Sequence, residues 1–415
     1  MQKRMDRADV AVIGAGPAGL FCAIHAAEQD LHVLVLEKMQ APGRKLLLTG
    51  SGQCNITHDG EIRKFFSHYG NAGSFLKPAL LAFTNRDIIR FFRGRGLEME
   101  IREDGKVFPA TRKSSDVLSI LISECEKQKI PVCCGEPVQK IQKNEGVFVV
   151  TTPRRICHTT CLVIATGGAS YPVTGSSGDG YCFAASMGHT IREIAPALTP
   201  LLIYDFPFSD LSGISFPSMH FSVWRHGKNL FHHTGDVLFT HTGISGPGIL
   251  DRSRDIRPGD IVRLSFINPA DHDGLSHAFN ELADAHGTRR VKSVLSHYQI
   301  PDRLIKKILE ITNIPNELTC AHLSAPLRSS LLGSLTGFPL TVGALGDLSV
   351  AMATRGGVTR EEVNQKTMES RIVKNLYFAG EVLDIDGDTG GYNIQSAYST
   401  GMLAAQSIRK KCSSL

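Results

Sequence analysis

The feature that most constrains this chain is a run of glycines set between a strand and a helix. Asp9-Val-Ala-Val-Ile13 is a short apolar run, Gly14-Ala15-Gly16-Pro17-Ala18-Gly19 follows at once, and Pro17 to Gln29 reads as a helix. A second strand, His32-Val-Leu-Val-Leu-Glu37, completes a βαβ start. Gly14 permits the tight turn, Gly16 lets a pyrophosphate approach the backbone, and Gly19 lets helix and strand pack closely. Amides at the helix start then face the phosphates, where the dipole adds about 0.3 to 1 kcal/mol. Glu37, ending the second strand, is placed to accept hydrogen bonds from a ribose diol, and an acid there disfavours the 2′-phosphate of NADP. The motif specifies a dinucleotide without separating FAD from NAD.

The far end of the chain makes that separation. Asn375-Leu-Tyr-Phe-Ala-Gly-Glu381 reads as a last strand ending at Gly380, and Thr389-Gly-Gly-Tyr-Asn-Ile-Gln-Ser-Ala397 as a glycine-rich loop opening a helix over Tyr392 to Lys410. The amides of that helix start suit the pyrimidine edge of an isoalloxazine ring, where charge gathers on reduction. The plainer alternative is a turn capped by Thr389 or Asn393. Between the ends, a helix over Ser114 to Lys129, a strand over Pro131 to Cys134, paired strands at Pro137 to Ile141 and Gly146 to Thr152, and a buried strand from Ile156 to Thr166 extend the sheet.

From about Ala195 the texture changes. Pro196, Pro200, Pro207 and Pro217 punctuate short strand candidates at His220 to Trp224, Asp236 to Thr240 and Ile261 to Ile267. Helical patterns follow at Leu275 to Ala285, Arg289 to His297 and Asp302 to Ile311, and the small-residue texture returns after Thr341. The expected architecture is α/β: a three-layer Rossmann-like domain with a parallel central sheet, made of 1–194 plus 342–415. A β-barrel-like insert, 195–341, interrupts it and carries a small helical bundle at about 272–325.

Gly43-Arg-Lys-Leu-Leu-Leu-Thr-Gly-Ser-Gly-Gln-Cys-Asn-Ile-Thr57, Gly167-Gly-Ala-Ser-Tyr-Pro172, Thr240-His-Thr-Gly-Ile-Ser-Gly-Pro247 and Thr367-Met-Glu-Ser370 occur in order along the chain. Together they resemble the successive motifs of the bacterial BaiN-like flavoproteins, also called the aminoacetone oxidase family of FAD-binding enzymes. The resemblance implies FAD held by Gly14, Ala15, Gly16, Pro17, Ala18 and Gly19 and, near the adenosine and pyrophosphate half, by Glu37, Lys38, Arg44 and Lys45. Val138 would meet adenine through its backbone. Ala165, Thr166 and Gly167, at the end of that buried strand, would lie beside the cofactor, and Gly380, Glu381, Gly391, Asn393 and Ile394 towards the ribityl and flavin half. One departure is visible: Ser51-Gly52-Gln53 stands where the family has a glycine-rich run before an arginine.

Composition excludes several classes. With 42% hydrophobic and 20% charged residues the chain reads as globular and not disordered. Its 45 basic and 40 acidic residues are no nucleic-acid footprint, so no nucleic-acid partner is expected, although Arg289-Arg290 and Arg409-Lys410-Lys411 leave an RNA-acting flavoprotein as a rival. The ten cysteines match no zinc pattern and no metal is expected. Cys54 reads as a packed thiol before a redox one, His241 as structural before catalytic, and Ser245 to Gly248 as a cap and turn. Gly175-Ser-Ser-Gly-Asp-Gly180 lacks the lysine of a phosphate loop and resembles the turn that starts a helix beside FAD in fumarate-reductase-like flavoproteins. No signal peptide or membrane span is read, and a cytoplasmic location follows. The expected function is an FAD-dependent oxidoreductase passing a hydride between flavin and a small-molecule substrate, with NADH or NADPH as a possible transient donor. No catalytic acid or base stands out, and the substrate pocket is expected between the Ala41 to Asn55 loop, Thr240 to Pro247 and Thr389 to Asn393.

Overall fold

The computed structural model describes residues 3–413 apart from 268–273, 275, 278–279, 282–284, 286 and 299. It divides into two compact units, Met1–Ala197 with Asp347–Leu415, and Leu198–Gly346.

In the first unit, β1 (Arg4–Ile13) becomes continuously buried from Val10, as a strand with parallel neighbours on both sides must. The sheet runs Val132–Cys133, β2 (Val33–Leu36), β1, Arg155–Ile164, Val147–Thr151, Lys140–Asn144. Arg155–Ile164 has two outer neighbours. Its first half pairs antiparallel with Val147–Thr151, and its last three residues pair parallel with Leu376–Phe378. Its sequence carries the same division: burial alternates at first and is continuous from Cys161. The turn between the hairpin strands puts Glu145 at φ 49° and Gly146 at φ 86°, a two-residue loop with both residues left-handed.

The helix α1 (Pro17–Ala26) packs against the C-terminal helix Tyr392–Cys412, and only small residues allow the closeness of the approach. A Cβ on Gly401 would lie 2.5 Å from the carbonyl oxygen of Ala18. The two ends of the chain therefore share one core.

The second unit is a closed six-stranded barrel, Leu201–Ile203, Gly243–Ser245, Lys228–Phe239, Ser215–Arg225, Ile261–Ser265 and Phe338–Leu345 in order around it. Its helices include Val291–Leu295, Asp302–Ile311 and Ala325–Gly337. Asp302–Ile311 has the bounds its pattern predicts, because Leu304, Ile305, Ile308 and Leu309 form one buried face. The expected helix at Leu275 to Ala285 falls largely outside the described residues. The sequence reading missed Ala325–Gly337, whose internal Gly333 and Pro326 obscure it.

Val138, expected in the first paired strand, instead precedes it, since that strand begins at Lys140. The preceding segment is tied to the residues just after β2, with Gly135 N donating to Met39 O and Glu136 N to Glu37 O.

Candidate functional site

Gly14 leaves β1 at φ +103°, and a Cβ there would lie 2.5 Å from the Ala165 carbonyl oxygen. Gly19 is as constrained, since its Cβ would meet Gly14 O at 1.9 Å. Gly16 differs from both: a Cβ on it would meet nothing within 4 Å. Gly14 and Gly19 thus serve the protein's own packing, and Gly16 faces open space. Gly16 is also the N-cap of α1, whose start has no capping side chain and no acid in the first turn. The first-turn amides, ordinarily met by such groups, are left for something else.

Glu37 lies across this turn, its Oε2 accepting from Ala15 N at 2.8 Å and its Oε1 from Met39 N at 2.8 Å. Gly43 N donates to Ala15 O, which brings the Ala41 to Thr57 loop to the same place. Lys45 Nζ donates to Glu381 Oε2 at 2.8 Å and to Ser170 Oγ at 2.5 Å, and Glu381 Oε1 accepts from Thr354 N at 2.7 Å. Four segments distant in sequence are clasped by this one ion pair. Arg44 is exposed. Lys38 bonds Asp179 Oδ2 at 2.7 Å and Ser177 Oγ, in the Gly175 to Gly180 loop. Burial raises the Asp179 pKa, but the bonds from Lys38 and Ser177 more than offset it and hold the carboxyl below its usual range. The helix Asp179–Ser186 starts so close to Thr166 that a Cβ on Gly180 would sit 2.0 Å from the threonine Oγ1.

At the other end of the chain, Gly380 (φ +76°) turns against Ala18, whose Cβ would be 2.8 Å from one added there. Gly391 (φ +94°) is the N-cap of Tyr392–Cys412, and this helix start too has no capping side chain and no first-turn acid. The N-cap position itself is a glycine and offers no side chain. The Asn393 side chain instead closes the preceding loop, accepting from Gly387 N and donating to Gly387 O at 2.8 Å each. Ile394 packs partly buried against the core. With its amide turned to suit its neighbours, Asn55 accepts from Gly391 N at 3.0 Å, and Thr57 Oγ1 donates to Gln395 Oε1 at 2.6 Å.

The Thr49 to Cys54 loop beside this start is strained. Gly50, Ser51, Gly52 and Cys54 all have positive φ, and for Ser51 and Cys54 that conformation costs on the order of 1 kcal/mol each. Gln53, standing where the family has arginine, accepts from Arg102 Nη2 at 2.7 Å, while the guanidinium lies 3.9 Å over the Phe108 ring. A cation is thus delivered to this loop from another element. Cys54 is fully buried, and burial pushes its pKa up to about 12, so it is a neutral, packed thiol. In the second unit, His241 is exposed, and where the sequence reads as a cap and turn Pro247–Leu250 forms a short helix led by Gly246 with no side-chain cap.

The sequence reading missed one constellation. His68 Nδ1 lies 3.0 Å from Asp388 Oδ2, and the His68 ring stacks 4.0 Å from Tyr392, the first residue of the terminal helix. His58 stacks on the same tyrosine at 5.6 Å, and Tyr69 Oη donates to the Tyr392 carbonyl at 2.8 Å. An aspartate-oriented histidine is equipped to hold or move a proton. Nothing in the His58 to Tyr69 segment has a motif spacing, and Asp388 was visible only as one acid in an acid-rich loop.

Residues 8–407 match the HI0933-like protein Rossmann domain. The chain belongs to the HI0933-like family. It is accordingly an FAD-dependent oxidoreductase by kind, and the BaiN-like resemblance of its motifs stands. Its relatives include the "Ribosomal RNA dihydrouridine synthase" of Escherichia coli (strain K12), 31% identical over 408 residues, covering 97% of this chain and 98% of that protein. Another is the "3-dehydro-bile acid delta(4,6)-reductase" of Clostridium scindens, 30% identical over 410 residues and covering 97% and 99%. Among solved structures, the 3-ketosteroid delta1-dehydrogenase of Sterolibacterium denitrificans is similar with a TM-score of 0.52 at 12% identity, covering 98% of this chain and 100% of that one. The Mycobacterium smegmatis Sdh1 complex gives 0.53 at 15% identity, covering 99% and 69%. These last two likenesses concern the fold alone. Among the described residues no helix is long and apolar enough to cross a membrane.

Proposed function

We propose that this chain reduces a carbon–carbon double bond conjugated to a carbonyl in a small organic substrate, using FAD that a nicotinamide, NADH or NADPH, recharges. The observation that carries the cofactor half is the pair of glycine-led, acid-free helix starts at Gly16 and Gly391, reached from opposite ends of the chain. FAD fits them, because open space over Gly16 takes a pyrophosphate and the second start suits the electron-rich edge of the ring. Glu37 would hold the adenosine ribose, Lys45 and Glu381 the middle of the cofactor, and the backbone at Asn393 and Ile394 the ring. When bound, FAD supplies the hydride chemistry. The protein's own part is to orient the substrate, exclude water and hold a proton on His68, which Asp388 keeps in one orientation.

The substrate class draws on the two relatives' names, which share one reaction, saturation of a double bond next to a carbonyl. A second reading keeps that chemistry and changes the carrier. The relatives in Escherichia coli and Haemophilus influenzae are named for ribosomal RNA, which favours a uracil ring within RNA as the substrate.

The test is anaerobic. NADH or NADPH should bleach the visible flavin band of the purified protein, and an α,β-unsaturated ketone should restore it. Restoration by a uridine-containing RNA and not by the ketone would transfer the conclusion to the second reading. A reduced flavin that neither acceptor reoxidises would overturn both.

A further inference from the structure

The terminal helix that starts at Gly391 ends in Arg409-Lys410-Lys411, roughly 28 Å away at 1.5 Å per residue. A cavity of about 310 Å³ opens there, bounded by Lys366, Lys410, Lys411, Gln406, Ser407 and Tyr377 among others. Its lining residues Gln406, Ser407, Lys410 and Lys411 belong to the last turns of that helix, at the end opposite its glycine start. Its size is at the small end of ligand pockets.

The walls are rich in donors. Lys411 pairs with Glu369 at 2.7 Å, and the same carboxylate accepts from Asn375 N at 2.7 Å. Beyond Lys411, Lys143 Nζ donates to the Lys374 carbonyl oxygen and lies 4.7 Å over the Phe148 ring. Burial lowers the Lys143 pKa, and the charges of Lys411 and Lys374 lower it further against the pull of Glu369. Lys366, Lys410 and Lys411 thus line the cavity, and Lys143 and Lys374 add positive charge beside Lys411. The floor adds a second, independent observation. Tyr377 is fully buried, and its hydroxyl has no hydrogen-bond partner. Burial raises its pKa far above the usual tyrosine value, so it stays an O–H donor. An unmatched buried donor costs about 1–3 kcal/mol, and an acceptor oxygen would recover it.

We infer that this cavity binds a phosphate-bearing anion, at a second site independent of the flavin reading. Lysine ammonium groups and the tyrosine O–H all donate, and a phosphate oxygen accepts from each without any change in protonation. The phosphate has two possible sources, a free phosphorylated small molecule or the phosphodiester backbone of RNA.

The flavin-loaded full chain should be titrated by calorimetry with inorganic phosphate, pyrophosphate and a short single-stranded RNA. The variants are Lys366→Gln with Lys410→Gln, both at exposed positions, and Tyr377→Phe, which removes only the unpartnered hydroxyl. Wild type is expected to bind at least one probe with a Kd of about 1 mM or tighter. The double lysine variant should weaken binding about tenfold or more and Tyr377→Phe several-fold, with flavin content and melting temperature unchanged. Phosphate or pyrophosphate binding without RNA binding supports a small-molecule source, and RNA binding weakened by Tyr377→Phe supports the backbone. If no probe binds, or Tyr377→Phe binds as wild type does, the site is refuted.

Discussion

Changing Gly16 to alanine separates cofactor binding from folding, because of the three motif glycines it alone has room for a side chain. Its backbone, at φ −81° and ψ −178°, is open to any residue, and a methyl group would meet no atom within 4 Å. Alanine is a poorer N-cap than glycine by about 0.5–1 kcal/mol, while losing glycine's freedom in the unfolded chain returns about 0.4–1 kcal/mol. The cofactor-free variant should therefore melt within about 1 °C of wild type, since the two effects nearly cancel. With flavin the balance differs, because the methyl occupies the space that a pyrophosphate needs. Loss of close approach to the helix amides should raise the FAD Kd about 100-fold, or ~2.7 kcal/mol. Gly19→Ala is the opposite case. Its Cβ would lie 1.9 Å from Gly14 O, so α1 must lift off β1, at about 1–3 kcal/mol or more. That corresponds to a fall in Tm of about 2–4 °C per kcal/mol. Melting of the apoprotein, with FAD titrated by flavin fluorescence, reads both numbers. If Gly16→Ala binds FAD as tightly as wild type, the open space is not the phosphate's and the cradle argument fails.

Three further outcomes are expected. His68→Gln and Asp388→Asn should each slow reoxidation of reduced flavin by substrate by about 10²-fold or more, at unchanged flavin content, and an unaltered rate would remove the pair from the chemistry. Cys54 should resist iodoacetamide at pH 8 in the native protein while exposed Cys182 reacts, because a thiol with a pKa near 12 is neutral there; rapid native labelling of Cys54, read by peptide mass, would contradict its burial. Glu136 is buried and bonded to Arg155 at 2.9 Å and Thr152 at 2.6 Å; burial raises its pKa, but these partners more than offset that and leave it lowered. A lowered folded pKa stabilises above the unfolded value of about 4.3 and is lost as pH falls through the folded one, so denaturant midpoints should drop below about pH 4, and less steeply in Glu136→Gln.

The glycine turn and the acid beside it were legible because their determinants are local. A glycine turn after an apolar strand has few physical meanings, and Glu37 falls at a fixed place after it. The barrel was legible as texture, through proline spacing and short alternating runs, and Asp302–Ile311 through its four apolar positions. What stayed hidden were pairings between segments with no pattern of their own. His68 meets Asp388, Arg102 meets Gln53, and Lys45 meets Glu381 only because the sheet and the terminal helix bring them together. Val138 was misplaced by two residues for a related reason: the chain after β2 is fixed by backbone bonds at Gly135 and Glu136, which side-chain alternation does not register.

The fold also explains why the glycine turns gather where they do. β1, Arg155–Ile164 and Leu376–Phe378 lie side by side and parallel, so all three end at the same edge of the sheet. A chain leaving a buried strand among such neighbours must turn at once, and each does so through a glycine of positive φ: Gly14 at +103°, Gly167 at +73° and Gly380 at +76°. The first turn leans on Ala165 and the third on Ala18, at distances that a side chain would not allow. Three glycine turns therefore come together at the carboxyl ends of the strands, the place where open α/β sheets take their ligands. Gly16 and Gly391 then head two helices whose N-caps carry no side chain and whose first turns carry no acid, a geometry that the glycine turns themselves impose.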